Sequence, residues 1–215
     1  MANDNIFDSG NKNNEVSKII NEEIFQNCLS LKEIKKKLQK ELDSKRYEHS
    51  LGVADTAFWL AYRYNVNPTK AYLAGILHDC AKCIEDDKKL NICKKHKIKL
   101  TETEKNNPFL IHSKLGAFIA KKEYQVDDEE ILSSISYHTT GKENMTMLEK
   151  IIFSADYIEP NRKQIPGLDE IRNIIFNDID KAIILIYKNT FKYLNEKKQI
   201  IDECSLKAFN YYINQ

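Results

Sequence analysis

Residues 44–79, SKRYEHSLGVADTAFWLAYRYNVNPTKAYLAGILHD, carry both the helical code of the chain and the first of its chemistry. From Ser44 to about Tyr64 no proline interrupts the run, and it reads as one long helix. Asn67-Pro68 then reads as an N-cap followed by proline at the first helical position, opening a second helix that reaches about Asp79. On that helix Ala71, Ala74 and Gly75 lie one or two turns beneath His78, a stripe of small side chains that marks a close helix contact. The same signals recur outward. Ser30 with Glu33 and Thr101 with Glu104 spell capping boxes, the first ahead of Leu31, Ile34, Leu38 and Leu42. Pro108 opens another helix, and Asp127-Asp128-Glu129-Glu130 suits the positive end of the next. Helices near Met145 to Ile158, Ile179 to Tyr193 and Gln199 to Tyr212 complete the set. No strand alternation and no repeat of 20 to 50 residues stands out, so the expected fold is all-α.

The chain's 215 residues suit one domain with trimmings, since a typical domain has about 150. Residues 1–14 read as a polar, disordered leader with no assigned role. Residues 15–43 read as an N-terminal helical extension, in which Val16, Ile19, Ile20, Ile24, Phe25 and Cys28 recur at helical spacing, and 44–215 as the main domain. The composition is that of a soluble globular protein, 42% hydrophobic and 30% charged with a formal charge of +1. A near-neutral balance argues against non-specific nucleic-acid binding, which needs a surplus of Lys and Arg to displace counterions. No window approaches the ~20 apolar residues of a membrane helix, and the start lacks a signal-peptide core, so the expected location is cytoplasmic. The six glycines stand apart from one another, which excludes Walker loops, GxGxxG turns and GxSxG elbows. Five cysteines in a reducing compartment read as free thiols.

The chemistry lies in histidines and carboxylates. Four of the five histidines, His49, His78, His112 and His138, fall in helical segments, the second followed at once by Asp79. Each has a glycine one helical turn away (Gly52, Gly75, Gly116 and Gly141), leaving room for another backbone or a ligand, although Gly141 also suits a helix C-cap. Asp156 interrupts the apolar run 151–158, where a bare carboxylate would be costly to desolvate, so it should be neutralised or bound to a cation. A single such histidine is most simply a satisfied core residue, but the whole set points to a metal site. Imidazole and carboxylate without thiolate suit iron, manganese, zinc or cobalt. Such an ion activates water near neutral pH and neutralises phosphate oxygens, which favours phosphoester or phosphoanhydride hydrolysis. Arg46 shares a helical face with His49 and is suited to grip a phosphate, Lys82 follows His78-Asp79, Thr139 and Thr140 follow His138, and Arg162 follows Asp156 across Pro160.

These residues resemble a known family. His49, His78-Asp79 and Asp156 match the H...HD...D signature of the HD-domain metal-dependent phosphohydrolases, which are all-α helical bundles. The surrounding strings, Arg46-Tyr47-Glu48-His49-Ser50-Leu51-Gly52-Val53, His78-Asp79-Cys80-Ala81-Lys82, Tyr137-His138-Thr139-Thr140-Gly141 and Ala155-Asp156-Tyr157-Ile158-Glu159-Pro160-Asn161-Arg162, look like its YqeK-type symmetrical bis(5′-nucleosyl)-tetraphosphatase branch. The match spans about Ser44 to the C-terminus. It implies cleavage of diadenosine tetraphosphate into two ADP by metal-activated water attacking a central phosphorus. Iron is the implied metal, as one ion or two, and the implied partner is this nucleotide, with neither nucleic acid nor membrane. By position His49, His78, Asp79 and Asp156 would hold the metal, and His112 and His138 would contact substrate phosphates or help hold a second ion. Substrate contact is favoured for that pair, since a second ion would have few carboxylates beyond a bridging Asp79. Arg46, Lys82, Thr139, Tyr157 and Arg162 would surround the polyphosphate, and either His112 or His138 could protonate the departing nucleotide.

Other readings stay open at this point: an HD phosphohydrolase acting on mononucleotides or cyclic dinucleotides, or a nucleotide-binding sensor without turnover. Base preference and oligomeric state, a homodimer included, are not fixed by these residues. Cys80, Cys83, Cys93 and His96 also spell C-x2-C-x9-C-x2-H, a spacing compatible with a structural zinc site, although the thiols read more simply as small buried hydrophobes.

Overall fold

Small side chains decide how the two central helices meet. In the computed structural model, which describes residues 28–215, helix α2 (Ser44–Arg63) buries Ala54, Ala57 and Ala61, and α3 (Pro68–Leu77) buries Ala71, Ala74 and Gly75 against it. A Cβ on Gly75 would come within 2.8 Å of the Ala54 Cα, so only glycine permits this approach. Around the pair stand α1 (Leu31–Glu41), α4 (Asp86–Lys95), α5 (Glu102–Asn106), α6 (His112–Glu123), α7 (Glu129–Tyr137), α8 (Met147–Ile158), α9 (Leu168–Ile174), α10 (Ile179–Glu196) and α11 (Glu203–Ile213). With one short 3-10 helix (Pro108–Ile111), they make the described residues all-helical, without a strand.

The ends of these helices follow the local code. Asp43 caps α2 by accepting from Arg46 N, Asn67 caps α3 ahead of Pro68, and Ser30, Thr101 and Thr146 each complete a capping box. The expected starts near Met145 and Gln199 move to Met147 and Glu203, where Thr146 and Asp202 supply the capping oxygens. Pro108 opens a 3-10 turn that runs directly into α6. The sequence reading gave no bounds for two helices: α4, of which only Lys94-Lys95 reads as a solvated helix face, and the two-turn α9.

One apolar core runs through the bundle, with α8 at its centre against α2, α3, α7, α9 and α10. The leader at 1–14 and the periodic residues Val16 to Phe25 lie outside the described residues. The described part of the N-terminal extension shares the core: Ile34 and Leu38 are fully buried, Leu29 N donates to Tyr124 O, and Lys37 pairs with Glu123 at 2.8 Å. Among the described residues no helix is long and apolar enough to cross a membrane.

Candidate active site

The four helical histidines converge, although not all from helix interiors. His49 lies within α2 and His112 opens α6, whereas His78 and His138 sit just past the last turns of α3 and α7 as their C-caps. There each ring bends back on its own helix. His78 Nδ1 donates to Gly75 O at 2.7 Å and His138 Nδ1 to Ile135 O at 2.8 Å, and in the 3-10 turn His112 Nδ1 donates to Phe109 O at 2.6 Å. A carbonyl oxygen only accepts, so Nδ1 carries the proton in all three rings. In the neutral ring that tautomer leaves the lone pair on Nε2, which suits a cation better than a phosphate oxygen.

Two of the neighbouring glycines make room for backbone. Gly75 admits α2, as above, and a Cβ on Gly116 would press to 3.3 Å on the His78 carbonyl. Gly141 has a positive φ of +62° beyond the end of α7, which is the C-cap alternative, and its amide donates to Tyr137 O at 2.8 Å.

Asp79 stands at the middle, almost fully buried, with its two oxygens facing different partners. Oδ2 accepts from Arg46 NH1 at 2.8 Å and lies 3.4 Å from His78 Nε2 and 3.9 Å from His49 Nε2. Oδ1 lies 3.3 Å from His112 Nε2, 3.5 Å from His138 Nε2 and 3.9 Å from Lys82 Nζ. Asp156 closes the first side, 3.0 Å from His49 Nε2 and 3.8 Å from His78 Nε2, with Arg162 NH1 at 3.8 Å from the same oxygen. On the other side Thr139 Oγ1 bridges His112 and His138 at 3.0 and 3.1 Å, and Lys82 Nζ reaches His112 Nε2 at 3.0 Å. Tyr157 stands apart from the cluster, its ring under the Arg162 guanidinium at 5.5 Å, and lines a cavity beside it.

The electrostatics follow the neighbours. Burial lowers the basicity of His78, and burial with the adjacent Lys82 charge pushes His112 well below the ordinary imidazole value. Burial opposes a charge on His49 too, but the carboxylates of Asp156 and Glu159 at its two ring nitrogens outweigh it and raise its pKa to about 9. Burial resists ionisation of Asp79 and Asp156, yet the surrounding imidazoles hold both carboxyls below the usual range.

A divalent cation fits this donor set. His49 Nε2, His78 Nε2 and Asp79 Oδ1 are buried without a well-directed hydrogen-bond partner, and an unsatisfied buried polar group costs about 1–3 kcal/mol. Three groups bring ligand atoms within 4.8 Å of one another: His49, His78 and Asp79; His78, His138 and Asp156; and Asp79, His112 and His138. Nitrogen and oxygen donors suit a borderline or hard divalent ion. Among the described residues no such group contains cysteine. The C-x2-C-x9-C-x2-H set does not converge: Cys80 donates to Gly116 O, exposed Cys83 approaches Asp43, Cys93 is buried, and His96 packs on Phe118 at 4.7 Å.

Glu159 is the residue the sequence reading left without a role. It is buried at the end of α8, accepts from His49 Nδ1 at 3.1 Å through Oε1, and is fixed by Asn161 N at 2.6 Å through Oε2. Gly52 provides the space, since a Cβ there would lie 2.6 Å from Oε2. Arg172 of α9 donates to the carbonyls of Ile158 and Glu159 at 3.0 and 2.8 Å, securing the helix end from which Glu159 projects. Such a carboxylate behind a histidine orients the ring and sets its tautomer.

A helical bundle around a buried His–Asp cluster in this order defines the HD class, and the chain belongs to the HD-domain family, whose model matches residues 46–161. It is 38% identical over 177 residues to the Bacillus subtilis (strain 168) protein named bis(5′-nucleosyl)-tetraphosphatase, symmetrical, across 82% of this chain and 94% of that one. To the Halalkalibacterium halodurans protein of the same name it is 40% identical over 169 residues, 79% of this chain and 89% of that one. Among solved structures, a Clostridium acetobutylicum protein described as an HD superfamily hydrolase involved in NAD metabolism superposes with a TM-score of 0.84 and 41% identity, covering 86% of this chain and 98% of its own.

Proposed function

We propose that this chain is a metal-dependent symmetrical bis(5′-nucleosyl)-tetraphosphatase that hydrolyses diadenosine tetraphosphate to two ADP. The observation that carries the reading is the gathering of His49, His78 and Asp79, with Asp156 3.0 Å from His49, in a chain matched along most of its length by relatives that bear this enzyme's name.

His49, His78, Asp79 and Asp156 would hold the first divalent ion. The second oxygen of Asp79, facing His112 and His138, supports a second ion there, and the lone pairs left on both rings favour this role over phosphate contact. Bound metal activates water near neutral pH and neutralises phosphoryl oxygens. Iron is the metal of this reading, with manganese, zinc and cobalt suited to the same donors. Arg46 is anchored on Asp79 and retains guanidinium N–H groups for a phosphate oxygen. Lys82 and Thr139 supply a charge and a hydroxyl on the His112 side, and Arg162 with Tyr157 does so on the Asp156 side. Together they stabilise charge that develops on the central phosphates.

Chromatography of products tests the reading, with protein prepared anaerobically and loaded with iron. ADP alone from diadenosine tetraphosphate is the expected result, and ATP plus AMP would overturn it. NAD in the same panel tests the link carried by the name of the Clostridium relative.

A further inference from the structure

The turn that joins α7 to α8 begins with His138 and Thr139, and side chains of the last two helices hold it. The carbonyl of Thr140 accepts from Tyr187 Oη of α10 at 2.9 Å and from Ser205 Oγ of α11 at 3.1 Å, one donor for each of its two lone pairs. Cys204 Sγ donates to the next carbonyl, that of Gly141, at 3.2 Å. Tyr187 and Ser205 are buried. The Tyr187 ring packs among Phe153, Phe191 and Phe209 at centroid separations of 4.9, 5.7 and 6.1 Å, which fixes the direction of its hydroxyl. Gly141 completes the fit, since a Cβ there would strike Tyr187 Oη.

One residue before that carbonyl, Thr139 Oγ1 bridges the Nε2 atoms of His112 and His138 at 3.0 and 3.1 Å. A peptide held at Thr140 therefore holds the hydroxyl and the ring that precede it. We infer that Tyr187 and Ser205 are positioning residues of the His112–His138 side: by fixing the Thr140 carbonyl they set where Thr139 and His138 meet His112. Both donors lie beyond residue 161, where the match to the HD family model ends, so this support comes from outside the matched segment. The inference rests on the proposed function for its effect on the second ion and on turnover, but not for its effect on the two rings. The His49 side has other supports, Asp156 and Glu159, and should not respond.

The experiment compares the full-length chain with a variant that carries Tyr187→Phe and Ser205→Ala, which removes both hydroxyls. In the metal-free protein the imidazole NMR signals of His112 and His138 should shift, while those of His49 stay in place. In a chelator competition the affinity for the second ion should fall about tenfold and that for the first should hold. With diadenosine tetraphosphate, kcat should fall about tenfold, because a displaced group near the chemistry costs rate. Tyr187→Phe with Ser205→Thr, which keeps one hydroxyl donor, should recover most of each loss. Tyr211→Phe removes a hydroxyl that donates to Asn144 Oδ1 in the same turn at 3.3 Å, and it should change none of these readings. Signals that shift equally on both sides of the cluster, or a lowered melting temperature with all signals unmoved, would make the two residues ordinary supports of the fold and overturn the inference. If the unaltered chain forms no ADP, the proposed function fails, and the imidazole signals still decide the inference.

Discussion

The two sides of the histidine cluster share Asp79 and rings tied to backbone carbonyls, and they part at His49 and His112. On one side His49 lies between two further carboxylates, Asp156 and Glu159, and its basicity rises. On the other, His112 and His138 are tied to backbone carbonyls, Lys82 stands against His112, and its basicity falls. One residue type is thus set to opposite charge preferences within a few ångströms by its neighbours alone. The carboxylate-rich side should bind a cation tightly. The lysine-flanked side, with one carboxylate oxygen to offer, should bind a second cation more weakly and leave positive charge for phosphate.

The shared residue gives the largest expected effect. Asp79→Asn removes the carboxylate charge from both sides and should lower turnover by about a thousandfold or more, with metal content lost at both positions. Next, His49→Ala and His112→Ala should separate the sides. The first should abolish tight metal retention, and the second should spare it while losing the weaker ion, as read by elemental analysis after dialysis. Glu159 acts through His49 alone, so Glu159→Leu should weaken metal binding by roughly 10–100-fold. Glu159→Gln, which keeps an acceptor for Nδ1–H, should recover most of that affinity in a chelator competition.

The smallest expected effect is on pH dependence. The folded pKa of His49 lies above its ordinary value of 6.5, so the stability it contributes to the metal-free protein is full below about pH 6.5 and is lost as pH rises through about 9. Asp79 and Asp156 have depressed values and contribute in full above the ordinary carboxylate range, so they do not change within this window. Melting temperatures of metal-free protein should therefore decline between pH 6.5 and 9. The decline should flatten in His49→Gln; an unchanged slope would break the contrast between the two sides.

Much of this was written in local sequence. The capping residues Ser30, Asn67, Thr101 and Asp128 mark helix starts because a side-chain oxygen meets backbone amides within three residues. The histidines and carboxylates were legible as a set, and so was the tension of Asp156 in an apolar run. Their placement was less so. His78 and His138 read as helical, whereas each lies one residue past its helix, where Nδ1 reaches the carbonyl three residues back. Glu159 was hidden because an acid before Pro160 looks like an ordinary helix end. Its signal was Gly52, three residues after His49, and no local pattern links the two. The cavity was illegible for the same reason, since α8, α10 and the approach to α11 meet only in the folded chain.

The most direct test of the account is a metal titration of the chelated protein, comparing the unaltered chain with His112→Ala. Two divalent ions of unequal affinity per chain, with only the weaker one lost in the variant, is the predicted result. A single ion per chain, bound identically by both proteins, would contradict Asp79 as the bridge between two unlike sides.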